Sequence, residues 1–508
     1  MTAPTRSDPY AEGLKLSASG RHALAIECFE QALACEPNDT RVLFALGNTA
    51  RALGLARPAE EFYRRVLAQE PKRLEALVNL ANLLRAQGQF EAAQALLEPA
   101  LARDPSSAEL WLTMGSIRRE RGDAACAREC YEKTLSLRPG YSPALGNLAD
   151  LLADDGETGR ALELYDHALR QEPDNAQARV NRAVLHLLRG NLKEGWRDYE
   201  ARLKISGKVP VADHKLRRWD GGTLKRQRLL ITAEQGVGDQ IMFASVMPDL
   251  ARRAADEGGS LILECEPRLV PLFTRSFAGM TVKAWDSETR GSVAITRYGW
   301  LKSAGGATRA IELGSLSRFT RPQLQSFPRP NAYLTPDIDE VALWRGALRD
   351  GNGPTIGICW RSGKSGGHRA LQYAPIEAWA DFARTWPGRI VSVQYDATPE
   401  EIVRLQALSG RAIAVPEGID QKKELDRACA LLASLDAVVS APTAVSWLAA
   451  AAGVPTYKIL YDTSWTSFGE TFEPFAPACL CMMPESRGNW GDVFAKTLTA
   501  LRTQLSPD

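Results

Sequence analysis

A chain of 508 residues is too long for a single hydrophobic core, so about two to four domains are expected. Its 62 basic and 61 acidic residues leave a net charge of +1, without the basic excess that a general nucleic-acid or membrane-surface binder needs. Nine cysteines show neither C-x-x-C nor zinc-ligand spacing, which predicts reduced thiols, and no long uninterrupted apolar run predicts a membrane span. The first residues, MTAPTRSDPYAEG, carry no apolar segment of signal-peptide type, so a cytoplasmic location is expected.

From the N-terminus, Gly20, Gly54, Gly88, Gly122, Gly156 and Gly190 recur every 34 residues. Pro37, Pro71, Pro105, Pro139 and Pro173 keep the same step. This period is the signature of tetratricopeptide repeats, helix pairs stacked into an all-α superhelix. Glycine would end the first helix of each pair in a left-handed conformation, and proline would stop the second from continuing. One first-helix column is always small (Gly13, Gly47, Ala81, Gly115, Ala149, Ala183). In the second helix a small residue (Ala25, Ala59, Ala93, Ala127, Ala161, Gly195) is followed four positions later by a large one (Phe29, Tyr63, Leu97, Tyr131, Tyr165, Tyr199). That spacing puts hole and knob on one face. Five full repeats are predicted over 6–175, with a sixth closing unit, so the solenoid is expected to occupy 6–209. Trp196 and Tyr199 are expected to cover its end and pack on the next domain.

Asn79, Asn147 and Asn181 share one repeat position. A row of amides can hydrogen-bond the backbone of an extended polypeptide whatever its side chains. A tolerated exposed helix residue is the alternative, and the row is interrupted at Ala45 and Thr113. The basic segment Arg202–Arg228 reads as a solvated linker.

Beyond it, strands and helices alternate. Buried strands are predicted at 228–233, 261–265, 355–360, 389–394, 436–440 and 454–459. Helices are expected from Gln240 to about Asp256 and over 268–276, 375–386, 398–408, 443–452 and 490–505. Such alternation means parallel sheets covered by helices, here two Rossmann-like α/β lobes at 213–335 and 341–508 with ligands at the carboxyl ends of the strands.

Three loops after strands carry the chemistry. Glu234-Gln235-Gly236-Val237-Gly238-Asp239 offers two glycines for a tight turn and a helix start for an anion, with a plain capped turn as the alternative. Arg361-Ser362-Gly363-Lys364, running on to His368 and Arg369, is a cationic Gly-rich loop suited to phosphates, though without P-loop spacing, with a solvated surface loop as the alternative. Ser440-Ala441-Pro442-Thr443-Ala444 runs from a strand into a helix, where Thr443 brings a hydroxyl to the positive end, with a structural cap alone as the alternative. Asp337 and Asp339 form a D-x-D that reads as a helix cap, and no metal site is expected.

Together, EQGVGDQIMFASVMPDLA, GICWRSGKSGG and LDAVVSAPTAVSWLAAAAGVPT resemble the bacterial tetratricopeptide-repeat glycosyltransferases of GT-B fold. These are related to heptosyltransferases and more distantly to O-GlcNAc transferase, whose asparagine ladder the repeat column also resembles. The resemblance implies inverting, metal-independent transfer of a sugar from a nucleotide-sugar donor, which is a substrate and not a cofactor. It implies a protein acceptor, flagellin or another surface protein, held by the repeats.

The resemblance makes Asp239 the base and places Gly236, Gly238, Arg361, Ser362, Lys364, Thr443 and Ala444 near the donor. Glu470 and Trp465 follow the last core strand and are expected near base or ribose, with packing as the alternative for Trp465. The chain departs from the heptosyltransferase pattern at Pro442 and Trp447, where Asp and His are expected. A non-catalytic scaffold with a degenerate transferase domain, or transfer to lipopolysaccharide, are the rival expectations.

Overall fold

The computed structural model describes residues 8–205, 210–290, 293–328, 332–348, 353–363 and 372–505. The chain divides into two compact units, Met1–Ala178 and Arg179–Asp508.

The first unit is a series of helix pairs: α1 (Pro9–Ala18) with α2 (His22–Cys35), α3 (Thr40–Ala52) with α4 (Ala56–Gln69), α5 (Leu74–Ala86) with α6 (Phe90–Arg103), α7 (Ala108–Arg121) with α8 (Ala124–Leu137), and α9 (Ser142–Asp154) with α10 (Thr158–Gln171). Side chains of Asp8, Asp39, Ser107 and Asp123 accept first-turn N–H groups and start four of these helices. All six periodic glycines, Gly190 included, are left-handed, with φ between +73° and +95°. The small column works across each pair. A Cβ on Gly13 would lie 2.5 Å from the Phe29 ring, on Gly47 2.7 Å from Tyr63, and on Gly115 2.6 Å from Tyr131. The knob of the second helix therefore fills a hole on the first helix of its own pair, as well as lying beside a small residue on its own face.

The second unit opens with α11 (Ala176–Leu188, whose first residues precede the division), α12 (Leu192–Tyr199) and a 3-10 turn at Glu200–Lys204. A first lobe follows: β1 (Val211–Ala212), β2 (Arg217–Arg218), β3 (Arg228–Thr232), α13 (Val237–Ala244), α14 (Met247–Glu257), β4 (Ser260–Cys265), α15 (Val270–Ser276), β5 (Thr281–Ala284), β6 (Ser287–Arg290), β7 (Val293–Thr296), β8 (Arg309–Glu312) and α16 (Ser317–Thr320). The second lobe comprises α17 (Ile338–Leu348), β9 (Thr355–Cys359), α18 (Ile376–Thr385), β10 (Arg389–Ser392), α19 (Pro399–Ser409), α20 (Leu425–Ala433), β11 (Ala437–Ser440), α21 (Ala444–Ala451), β12 (Thr456–Ile459), β13 (Cys479–Met482) and α22 (Trp490–Leu505).

Each lobe holds a five-stranded sheet, ordered β2-β8-β3-β4-β5 and β10-β9-β11-β12-β13, and every pairing within them is parallel. In the second sheet the first strand of the lobe, β9, lies between its second and third. That order reverses direction between β9 and β11 and opens a crevice at their carboxyl ends. In the first, β3 lies between β4 and β8 with the same consequence.

Two expectations are corrected. The single helix from Gln240 to about Asp256 is two helices, which begin at Val237 and break at Ser245–Val246; Pro248, near the start of α14, cannot donate to a continuous helical ladder. The segment 202–228 is no simple solvated linker: Arg202 and Trp219 are buried, and Arg218 pairs with Glu200 and Glu312. Among the described residues, no helix is long and apolar enough to cross a membrane.

Trp196 is buried in the second unit, edge-on to Tyr199, Phe243, Phe468 and Phe475. The sixth helix pair, phased with the repeats, thus contributes to the core of the lobes.

Candidate functional site

A cavity of about 650 Å³ opens where the two lobes meet. Helix α13 begins there, after β3, and so does α21, after β11. The starts nearly touch: a Cβ on Gly238 would lie 3.5 Å from the Ala444 Cα. Each helix brings its first-turn backbone N–H groups and the positive end of its dipole to the cavity wall.

Gly236, Gly238, Asp239, Ser362, Thr443 and Ala444 all line this space. Asp239 stands half-buried in the first turn of α13. Neither glycine of its loop is left-handed, and Gly236 has φ −67°, so the tight turn expected of them is made with ordinary backbone angles. Gly238 lets α13 approach α21.

Arg361 is not brought to the cavity. Its guanidinium donates to Glu401 at 2.6 and 2.7 Å and to Asp396 at 3.0 Å. The hydrogen bonds to Glu401 hold the guanidinium pKa above its ordinary value, against the opposing effect of burial. Gln394 fixes the adjacent backbone: its Oε1 accepts from Trp360 N and Arg361 N at 2.9 and 3.0 Å, and its Nε2 donates to Arg361 O at 2.9 Å. Tyr395 accepts from Gly363 N at 2.6 Å. Lys364, His368 and Arg369 lie outside the described residues.

The Thr443 hydroxyl caps α21 by accepting from Val445 N at 3.2 Å, with Ser440 Oγ at 3.3 Å and Cys359 Sγ at 3.6 Å. Burial first of all pushes the Cys359 thiol up to about 11, so it is no nucleophile near neutral pH. Glu470 and Trp465 lie away from the cavity lining; the Trp465 ring packs 5.6 Å from that of Tyr199. Asp337 accepts from Asp339 N and Glu340 N at 3.0 and 3.2 Å and so caps α17.

At the two positions that depart from the heptosyltransferase pattern, Pro442 and Trp447 both line the cavity. Behind Trp447 stands the buried Lys458 ammonium, 3.9 Å from the ring centroid and 2.5 Å from buried Glu473. Glu473 also accepts from Ser464 at 3.1 Å and Thr466 at 2.9 Å. A cation over an indole is attracted to the ring face, which fixes the orientation of Trp447.

Sequence reasoning missed the two cationic side chains of the described lining, Arg268 and Lys422. Arg268 donates to Glu266 at 2.7 Å and, across the lobes, to the Lys422 carbonyl at 2.5 Å. Arg268 begins a segment expected to be helical and Lys422 stands in the connection between α19 and α20; only their position after β4 and before α20 distinguishes them.

In the repeats, Asn79 donates to Asn48 at 2.9 Å and Asn147 to Ser116 at 3.4 Å, so part of the amide row joins neighbouring pairs. Asn181 lies in α11, in the second unit.

Tetratricopeptide-repeat family models match residues 10–73, 147–208 and 50–117. The helical part of the chain is therefore built of tetratricopeptide repeats, modules that typically bind other proteins. Over 332 residues the chain is 35% identical to Protein FlbA of Caulobacter vibrioides, an alignment covering 65% of this chain and 55% of that protein. The chain thus spans about half the length of this curated relative. Among solved structures, it is similar to TTC0263, a thermophilic TPR protein of Thermus thermophilus, at 30% identity over 35% of this chain and 97% of that one, with a TM-score of 0.32. Similarity to pilF of Pseudomonas aeruginosa is 23% over 39% of this chain and 88% of that one, with a TM-score of 0.32.

Proposed function

We propose that the second unit is a GT-B glycosyltransferase that moves a sugar from a nucleotide-sugar to a polypeptide recruited by the repeats. The convergence of the α13 and α21 starts on one cavity, beside Asp239, is the observation that carries this reading. A diphosphate leaving group develops negative charge as the sugar departs. Preorganised N–H groups at two helix starts, with Arg268 and Lys422 on the same wall, stabilise that charge where it forms. Asp239 takes the proton of the attacking acceptor hydroxyl, and attack opposite the leaving group inverts the anomeric centre. This reading needs no metal ion for the leaving group. Arg361 acts indirectly, by holding its loop against Glu401 and Asp396.

Protein acceptance follows from the repeats. A flagellin or other surface-protein acceptor, and a cytoplasmic site of action, rest on the resemblance to bacterial glycosyltransferases of this layout. The rival, a binding scaffold with a catalytically inert cleft, is favoured by Pro442 and Trp447 in the lining and by the ion-paired Arg361.

Calorimetry with UDP-, GDP-, ADP- and CMP-sugars separates the two. Binding of one donor, with Asp239→Asn lowering transfer by about 10²- to 10⁴-fold while binding persists, is the expected result. Binding by none of the four favours the scaffold.

A further inference from the structure

We infer that Tyr199 and Arg202, at the end of the sixth helix pair, are positioning residues for the loop that carries Asp239. The inference rests on the transfer reading of the cavity only for its kinetic consequence.

Tyr199 occupies the large column of the repeat. Elsewhere in that column the hydroxyls of Tyr63 and Tyr165 meet Asn48 and Asp150, within their own helix pairs. Tyr199 instead meets the first lobe: its hydroxyl accepts from Gln235 Nε2 at 3.1 Å. The ring is enclosed by Trp196, Phe243 and Trp465, with the Arg202 guanidinium carbon 4.6 Å from its centroid.

Arg202 takes the preceding residue. Its Nη2 donates to Glu234 Oε1 at 2.7 Å and to Ser315 Oγ at 2.9 Å. All four side chains in this ion-paired set, those of Tyr199, Arg202, Glu234 and Ser315, are buried. Burial opposes the Arg202 charge, and Glu234, Tyr199 and Glu200 together more than offset it, holding that guanidinium above its ordinary pKa. Glu234 Oε1 also accepts from Gly314 N at 3.2 Å. A Cβ at Gly314 would fall 2.7 Å from that oxygen, so glycine is required for the approach.

On the far side, buried Gln240 donates to the Gln235 carbonyl at 2.8 Å and accepts from Glu266 N at 2.8 Å. The span between these anchors is Gly236–Asp239, the part that lines the cavity. Tyr199 and Arg202 therefore hold one end of the span and Gln240 the other. A loop fixed at both ends presents Asp239 at one distance from a bound acceptor, and effective proton transfer depends on that distance.

The test compares full-length Tyr199→Phe, Arg202→Gln and Arg202→Lys with the unsubstituted chain. Tyr199→Phe keeps the ring packing and removes only the hydroxyl. Peptide-level hydrogen exchange over 233–243 is read against 436–451 in the other lobe. The expected result is exchange about 5- to 10-fold faster over 233–243 in Tyr199→Phe, faster again in Arg202→Gln, and largely restored in Arg202→Lys, with 436–451 unchanged.

In transfer assays kcat falls in the same order while the donor KM holds. Unchanged exchange over 233–243, or an equal rise in both segments, overturns the inference. An unsubstituted chain that transfers no sugar overturns the transfer reading and leaves exchange to decide the loop's support.

Discussion

The two units bury different things. Among the described residues of Met1–Ala178, the fully buried side chains are apolar or carry hydroxyls, and charge pairs such as Arg119–Asp154 and Arg128–Asp155 lie at the rim. The second unit buries Lys458 with Glu473, Arg202 with Glu234, and the Glu264 carboxyl. Rim pairs contribute about 0–1 kcal/mol each. Buried ones often stabilise no more than apolar residues of the same volume, yet are damaging when one partner is lost. The repeats are thus held by shape repeated at a fixed period, and the lobes by charges that orient particular side chains near a cavity.

The largest expected break of that contrast is Lys458→Ala. It strands Glu473, already lacking a partner at Oε2, and frees the Trp447 ring. A loss of about 3–5 kcal/mol from the second unit is expected. Eleven of the twelve tryptophans lie in that unit, so urea unfolding followed by tryptophan fluorescence reports it. A shift below about 1 kcal/mol would mean that the pair is dispensable and the ring is held by packing alone.

Glu264 gives the next effect. Burial raises its pKa from 4.5 to about 7, although Ala233 N and the Tyr298 hydroxyl donate to it. The folded state therefore holds a proton that the unfolded chain releases at lower pH. The stabilisation is complete below about pH 4.5 and is lost as pH rises through 7, a change of about 3 kcal/mol. Glu264→Gln is expected to flatten this dependence in fluorescence-monitored unfolding between about pH 5 and 8. An unaltered slope would assign the pH dependence to other groups.

Legibility followed the same division. The period exposed the helix pairs and left-handed glycines because each repeat solves the same packing problem with local residues. In the lobes, Gly236, Gly238, Asp239, Ser362, Thr443 and Ala444 were placed together because they follow buried strands, and parallel sheets gather such loops. Arg361 read as a free cation because its partners, Asp396 and Glu401, are 35 and 40 residues distant. Arg268 and Lys422 were missed for the mirror-image reason: they join the cavity only when two lobes meet. Strands β1 and β2, of two residues each, are too short to show alternation.

The smallest effects separate backbone from packing inside the repeats. At Gly54 the φ is +73° and a Cβ would meet nothing within 4 Å. Gly54→Ala therefore carries only the left-handed backbone penalty, about 1–2 kcal/mol. At Gly115 the angle is not left-handed, but a Cβ would lie 2.6 Å from the Tyr131 ring, so Gly115→Ala is penalised through overpacking, by about 1–3 kcal/mol. The two sites separate under a second substitution. Tyr131→Leu leaves room beside α7 and is expected to relieve part of the Gly115→Ala penalty while leaving that of Gly54→Ala unchanged. Far-UV circular dichroism during urea unfolding, weighted toward the helical unit, measures both double-mutant couplings. A coupling of zero at Gly115 would remove the hole-and-knob account of the period and leave the left-handed glycines and the helix-stopping prolines as its physical causes.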